Sequence, residues 1–344
     1  MNSETQTLLE VRNLRKYFPI RKGLFDNTAK RQVKAVDDVS FFINKGETLG
    51  LVGESGSGKT TTGRTILRAY DPTSGEILFD TGDGQFDDVA QYDRHALKHF
   101  RRQAQMIFQD PYSSLSPRMT VRDIIGEPLV ANDFGSRAEM DERVRSIAEV
   151  CGLKVEHLRR YPHAFSGGQR QRIGIARALA IHPKLVVCDE PVSALDVSIQ
   201  AQILNLLKRL QQDLGLTYLF IAHDLSVVEH ISDRVAVMYL GKIIELAETE
   251  TLFRTPKHPY TEALMSAIPV ADPHIVMDPM ILQGEIPDPA SPPSGCAFHP
   301  RCPYAGPECE TETPAWREIQ PGHFVSCHYA DTLELVGVSA LQKG

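Results

Sequence analysis

The sequence predicts an α/β fold built on a mostly parallel sheet, with an inserted helical subdomain, an antiparallel β part and an irregular, cysteine-bearing C-terminal extension. Three observations carry this. Short apolar, strand-sized runs alternate with helical patterns around residues 48–70 and again over 168–231, the order that parallel strands with crossover helices require. Strand signals vanish over 121–161, where Met140, Val144, Ile147 and Val150 fall near helical spacing. Beyond residue 268 a proline-rich stretch, Pro269 to Pro293, leads into four clustered cysteines.

Taken in order, residues 8–14, 35–43 and 48–52 read as strands, the first two separated by a basic exposed loop at 20–34. A helix runs from 59 to 70 and breaks at Asp71-Pro72-Thr73-Ser74-Gly75. A short strand at 77–80 precedes a turn-rich acidic stretch at 81–88, and 106–108 is strand-like. After the helical insertion come helix 168–181, strand 185–189, helix 198–214, strand 218–222 and helix 225–231. Residues 235–238 and 243–247 form a hairpin around Gly241.

Length and charge narrow the function. At roughly 150 residues per domain, 344 residues make two domains. A formal net charge of -7 gives no bulk attraction to nucleic acid or anionic lipid. The polar, acidic N-terminus lacks the basic start and apolar run of a signal peptide. No apolar run approaches the ~18 residues of a membrane span, so a membrane role must come through partners. Cys151 and Cys188 sit in apolar or helical contexts, as small core residues do. Cys296, Cys302, Cys309 and Cys327 favour a metal site over a disulfide framework in a chain without a secretory signal.

The strand at 48–52 runs directly into Gly53-Glu54-Ser55-Gly56-Ser57-Gly58-Lys59-Thr60, a G-x4-G-K-T loop followed by a helix. This context identifies a phosphate-binding P-loop. Its glycines let backbone N–H groups curl toward phosphates, and the helix adds its positive end. Lys59 reaches the β- and γ-phosphates, the Thr60 hydroxyl can hold Mg²⁺, and Thr61 can add a phosphate contact. The apolar strand 185–189 ends in Asp189-Glu190. Asp189 would hold Mg²⁺ through water and Glu190 would polarise the attacking water, since in-line phosphoryl transfer needs positioning and charge neutralisation above all. His223, at the end of the next strand, would meet the γ-phosphate at the strand edge where α/β folds bind ligands. Gln109 closes the strand-like Met106-Ile107-Phe108 and could reach Mg²⁺ and the water. Alone, a strand-end carboxylate or histidine is an ordinary polar cap; the P-loop changes the reading.

The ordered set, completed by Phe165-Ser166-Gly167-Gly168-Gln169 and Ser193-Ala194-Leu195-Asp196, resembles the ABC-transporter ATPases over residues 8–253. The fold this implies is a P-loop NTPase, the ABC cassette, spanning 1–255 with its helical subdomain at about 112–165. The resemblance makes Gln109 the Q-loop glutamine that senses the membrane partner, and residues 193–196 the D-loop. Phe18 aligns with the aromatic that stacks on adenine, with Tyr17 as the alternative. In the family, Ser166, Gly167, Gly168 and Gln169 contact ATP bound by the opposite subunit, again a helix N-terminus facing an anion. Two chains then sandwich two ATP molecules.

The tail, Cys296-x5-Cys302-x6-Cys309-x17-Cys327 with Phe298-His299-Pro300-Arg301-Cys302-Pro303 inside, resembles the C-terminal extension of oligopeptide/dipeptide importer ATPases, and sets a second domain at 256–344. Four cysteines permit Zn²⁺ or a [4Fe–4S] cluster, or stay as thiols. The resemblance points to the cluster, and the spacings are wider than the close pairs of structural zinc sites. The implied assembly has a second ATPase subunit in a heterodimer, two transmembrane permeases and an extracytoplasmic solute-binding protein, with no nucleic acid. This chain would sit peripherally at the cytoplasmic face of a prokaryotic inner membrane. Related members serve nickel or glutathione. An exporter ATPase, a soluble ABC ATPase on ribosomes or DNA, and a cassette that binds ATP without hydrolysing it are the other readings; intact Glu190 and His223 argue against the last.

Overall fold

The computed structural model describes residues 6–20, 31–82, 84–268, 280, 282 and 284–338. Most of the loop expected at 20–34 and the linker prolines Pro269, Pro273 and Pro279 lie outside the described residues. The chain divides into two compact units. The first falls within Met1–Leu9, Ile43–Thr48 and Phe79–Ile221, the second within Glu10–Phe42, Leu49–Leu78 and Ala222–Gly344.

In chain order, strands β1 (Thr7–Pro19), β2 (Gln32–Asn44) and β3 (Thr48–Val52) lead to helix α1 (Lys59–Ile66). Strands β4 (Ser74–Gly82) and β5 (Gln85–Asp88), helix α2 (Arg94–Gln103) and strand β6 (Ala104–Ile107) follow. Three helices come next, α3 (Val121–Ala131), α4 (Arg137–Val150) and α5 (Gly167–Leu179). Then β7 (Leu185–Asp189), α6 (Val197–Leu214), β8 (Thr217–Ile221) and α7 (Leu225–Ile231) alternate. The remainder is β9 (Arg234–Tyr239), β10 (Lys242–Glu248), α8 (Thr249–Arg254), α9 (Pro259–Ser266), α10 (Pro307–Thr311), β11 (Arg317–Gln320) and β12 (His323–Val325).

The first unit is centred on the parallel run β8-β7-β6, in register from Leu185↔Thr217 to Asp189↔Ile221 and from Ala104↔Leu185 to Ile107↔Cys188. Every residue of β7 and β8 is buried, which is why both read as unbroken apolar runs. Helix α6 buries Ile203, Leu206, Leu207 and Leu210, one face at helical spacing. At about 1.5–3 kcal/mol per fully buried aliphatic side chain, that face outweighs any helix propensity in fixing α6. The stretch without strand signals is helical as expected. A Ser136–Glu139 capping box starts α4, and α3 packs on α4 and α5. Cys151 and Cys188 are both fully buried.

In the second unit β3 lies parallel to β9, with Val52 opposite Val237. The β9–β10 hairpin turns at Leu240 and Gly241, whose φ values are 43° and 80°, the pair of left-handed residues that a type I′ turn needs. A Cβ on Gly241 would stand 2.6 Å from the Lys34 carbonyl oxygen.

Several expectations need correction, among them the strand at 8–14, which runs on to Pro19 as β1, and the strand at 106–108, which is Ala104–Ile107. Helix α1 stops at Ile66 rather than 70, because Arg68 takes a left-handed φ of 51° and closes the end by pairing with Asp71. The stretch 81–88 holds the end of β4 and all of β5 rather than turns alone. Helix α2 was not foreseen: Phe100 is its one fully buried residue, and Ala96 and Leu97, a turn earlier, are only half-buried among charged neighbours. The extension is not simply irregular: β12 pairs antiparallel with β10, Glu245↔Val325, and β11 pairs with β12.

Candidate functional site

The glycine-rich loop lies in the second unit between β3 and α1. Gly53 and Gly58 have φ of 148° and 106°. A Cβ at either would sit 2.1 Å from a carbonyl oxygen, that of Met238 or Ala35. Close backbone approach and left-handed geometry therefore both demand glycine. Lys59 is buried and folds back over the loop, its Nζ donating to the carbonyls of Gly53 at 2.7 Å and Glu54 at 2.8 Å. Gly241 N–H donates to Ser57 O at 2.9 Å, tying the loop to the hairpin turn. Ser55 and Gly56 are exposed at the rim, and Thr60 and Thr61 are half-buried in the first turn of α1. Inward-turned glycine backbone followed by the start of α1 gives this loop the positive polarisation that suits an anion.

Also in this unit, His223 is exposed just before Asp224, whose carboxylate caps α7 by accepting from Ser226 N–H at 2.9 Å. Phe18 is half-buried, edge-on to Tyr70 at 5.5 Å, with Lys16 Nζ 4.8 Å from its ring centre. The alternative, Tyr17, donates its hydroxyl to Asp37. Burial first, then that hydrogen bond, pushes the Tyr17 phenol up to about 12.

The first unit carries the carboxylates. Asp189 ends β7 and is wholly buried. Glu190 follows with φ 45°, a left-handed conformation costing about 1–2 kcal/mol for a non-glycine residue. Its N–H donates to Ile221 O at 3.0 Å, and its carbonyl accepts from Ser193 Oγ at 3.1 Å. Gln109 Nε2 donates to Glu190 Oε2 at 2.7 Å. The sequence placed these two residues in one role without a means of pairing them; the fold brings them together.

Ser166 is the N-cap of α5 in a reciprocal box with Gln169. Ser166 Oγ accepts from Gln169 N–H at 3.4 Å, and Gln169 Oε1 accepts from Ser166 N–H at 3.1 Å. Ser166 Oγ is used as an acceptor, which leaves its own proton available to donate. A Cβ on Gly167 would lie 3.4 Å from Leu195 Cδ2, and one on Gly168 2.5 Å from Ile199 Cγ2. The Ser166-to-Gln169 turn thus seats against the 193–196 segment and the start of α6.

The four C-terminal cysteines belong to the second unit, Cys309 buried and the others half-buried, with no disulfide. Cys296 N–H donates to Cys309 O at 2.8 Å. Burial pushes the Cys302 thiol up to about 11 and the Cys327 thiol up to about 12, and neighbouring cysteines push the same way. Among the described residues no group of three or more His, Cys, Asp and Glu is placed to hold a metal ion. No described helix is long and apolar enough to cross a membrane.

Sequence reasoning missed one contact at the loop. Arg301 pairs with Glu54, Nη1 to Oε2 at 2.7 Å and Nη2 to Oε1 at 3.0 Å. Both residues lie in quoted motifs, yet no spacing rule connects positions 54 and 301.

Comparison with known proteins completes the assignment. The family model for the ABC transporter matches residues 36–193, and that for the oligopeptide/dipeptide transporter C-terminal region matches 244–309. The oligopeptide transport ATP-binding protein AppF of Bacillus subtilis (strain 168) is 54% identical over 326 residues, 94% of this chain and 97% of AppF. Among solved structures, the ATP-binding cassette MJ0796 in a dimeric post-hydrolysis state with ADP and Pi superposes with a TM-score of 0.60 at 27% identity, covering 70% of this chain and 99% of that one. The cassette cbiO1 from Clostridium perfringens gives 0.60 at 28% identity, covering 72% and 91%. With full-length kinship to one branch and the cassette fold of the wider group, this chain belongs to the ATP-binding proteins of the oligopeptide/dipeptide ABC transporter family and is an ABC ATPase.

Proposed function

We propose that this chain hydrolyses ATP to power import of dipeptides or oligopeptides across a prokaryotic cell membrane, from its cytoplasmic face. The observation that carries the reading is the kinship with AppF over 94% of the chain. In this reading Gly53, Ser55, Gly56, Ser57, Gly58, Thr60 and Thr61 bind the phosphates, Lys59 neutralises their charge, and Phe18 stacks on adenine. Thr60 on the second unit, and Asp189 and Gln109 on the first, are each proposed as an oxygen donor of the kind Mg²⁺ takes. The ion supplies charge neutralisation on the transferred phosphoryl group. Glu190, steered by Gln109, orients and deprotonates the attacking water, and His223 contacts the γ-phosphate. Ser166, Gly167, Gly168 and Gln169 complete the ATP site of a second ATPase subunit, and that subunit completes this one. A heterodimer on two permeases, fed by a solute-binding protein, is the proposed assembly, with residues 112–165 as the subdomain that meets the permeases.

Cys296, Cys302, Cys309 and Cys327 are proposed to hold a [4Fe–4S] cluster. Four unbridged thiols in one segment supply the donor type such a cluster takes, while among the described residues they are not gathered into a ready metal-binding group. The cluster would tie this segment together and offer a one-electron centre. Anaerobic purification followed by iron and acid-labile sulfide assays tests it; zinc without sulfide contradicts it.

The cargo is tested in proteoliposomes holding this chain, its partner ATPase and the permeases, with the binding protein outside. ATP-dependent uptake of a labelled peptide is expected. Uptake of nickel or glutathione with none of peptide would reassign the cargo.

A further inference from the structure

The Gly53–Glu54 corner of the loop is gripped by the segment between Cys296 and Cys302. The guanidinium of Arg301, its side chain 6% exposed, closes a two-pronged pair on a Glu54 carboxylate that is 26% exposed. Glu54 in turn donates its N–H to Tyr260 Oη at 2.8 Å and lends its carbonyl to Lys59 Nζ at 2.8 Å. One residue thus links Arg301 to the lysine that faces the phosphates.

The turn presenting Arg301 is itself anchored. Phe298 is 1% exposed, its ring 5.3 Å from that of Tyr239 and 5.4 Å from that of Tyr260. Cys296 O accepts from His299 N–H at 3.0 Å, and Cys302 N–H donates to His299 O at 3.3 Å. The two cysteines bracket the turn.

A carboxylate inside a phosphate-binding loop repels the anion the loop is built to take. Pairing with arginine cancels that charge, and the two-pronged geometry fixes which way the carboxylate points. We propose that Arg301 is a positioning residue for nucleotide binding, acting through Glu54 on the phosphate loop and making ATP affinity depend on the cysteine segment. This rests on the reading of residues 53–61 as the ATP site.

The test is titration of MgATP into the full-length chain by calorimetry, with thermal unfolding of each variant as the control for folding. Arg301→Gln should weaken binding about tenfold, raising the KM for ATP in the assembled transporter while kcat stays within about twofold. Glu54→Gln combined with Arg301→Gln should recover affinity to within about threefold of the parent, because the stranded charge is gone. Unchanged affinity in Arg301→Gln, or no recovery in the double variant, would each overturn the proposal. If Arg301→Gln does not fold, Arg301→Lys takes its place, keeping charge but not the fork; it should bind about threefold more weakly, and parental affinity would overturn the proposal. Lys59→Ala separates the two readings. If it abolishes binding while Arg301→Gln is silent, only this inference fails. If Lys59→Ala binds normally, both fail.

Discussion

Gln109 Nε2 lies 2.7 Å from Glu190 Oε2 and donates to it. The carboxylate sits on a left-handed residue, φ 45°, directly after the last residue of β7. Backbone strain at a reacting group persists only where surrounding bonds over-determine it, and here Ile221, Ser193 and Gln109 supply them. Gln109→Ala should lower kcat by roughly ten- to a hundredfold through misplacement of Glu190, with little change in MgATP affinity. Steady-state hydrolysis and equilibrium titration of the same variant check this.

Substitution of Gly58 should be among the most damaging single changes. A Cβ there meets the Ala35 carbonyl oxygen at 2.1 Å, at a φ of 106° that side chains rarely adopt. Gly58→Ala should cost more than about 1–3 kcal/mol of local strain and abolish nucleotide binding, as measured by MgATP titration of a variant whose fold is confirmed by circular dichroism.

Ser166→Ala should separate two effects. Loss of the cap on α5 costs about 0.5–2 kcal/mol of stability. Hydrolysis in the assembled complex should fall, while ATP binding to the isolated subunit should be spared, because in the proposed trans arrangement this turn serves the partner's nucleotide. Loss of binding in the isolated chain would contradict the trans role. Gly168→Ala should act similarly, by pushing Ile199, whose Cγ2 lies 2.5 Å from the added carbon.

His258 sets a pH dependence of stability. It is buried, its Nδ1 accepts from Tyr260 N–H at 3.0 Å, and its own backbone N–H donates to Glu245 Oε2 at 3.0 Å. Glu245 is also held by His323 at 2.8 Å and by Lys257 N–H at 2.6 Å. Burial lowers the His258 imidazole from 6.5 to about 3. Between those values the unfolded chain carries a proton that the folded chain does not. Stability from this residue is therefore full above pH 6.5 and is lost as pH falls toward 3, at up to about 1.4 kcal/mol per pH unit. Urea unfolding at several pH values should show a shallower acid slope for His258→Asn than for the parent.

Much of this was legible in the sequence. Strand 48–52 and helix 225–231 have the predicted bounds, because an apolar run delimited by a motif or a cap leaves little choice. Strand 185–189 is another such case. Helix α2 was hard to read because its apolar face is just Ala96, Leu97 and Phe100, one turn long in a run of charged and polar residues. Strands β11 and β12 were illegible for a different reason. They are three or four residues long, and what holds β12 is a partner strand far away in sequence, together with the buried Glu245–His323 contact and the stacking of Trp316 on Phe324 at 5.9 Å. The P-loop motif was readable from spacing. The Gln109–Glu190 and Arg301–Glu54 contacts were not, since each joins residues that only the fold makes neighbours.

The most direct test of the central claim is steady-state ATP hydrolysis by the assembled transporter carrying Glu190→Gln. Hydrolysis should fall by at least about a hundredfold while MgATP still binds with near-parental affinity and holds the two ATPase subunits together. Hydrolysis at the parental rate in that variant would contradict the account.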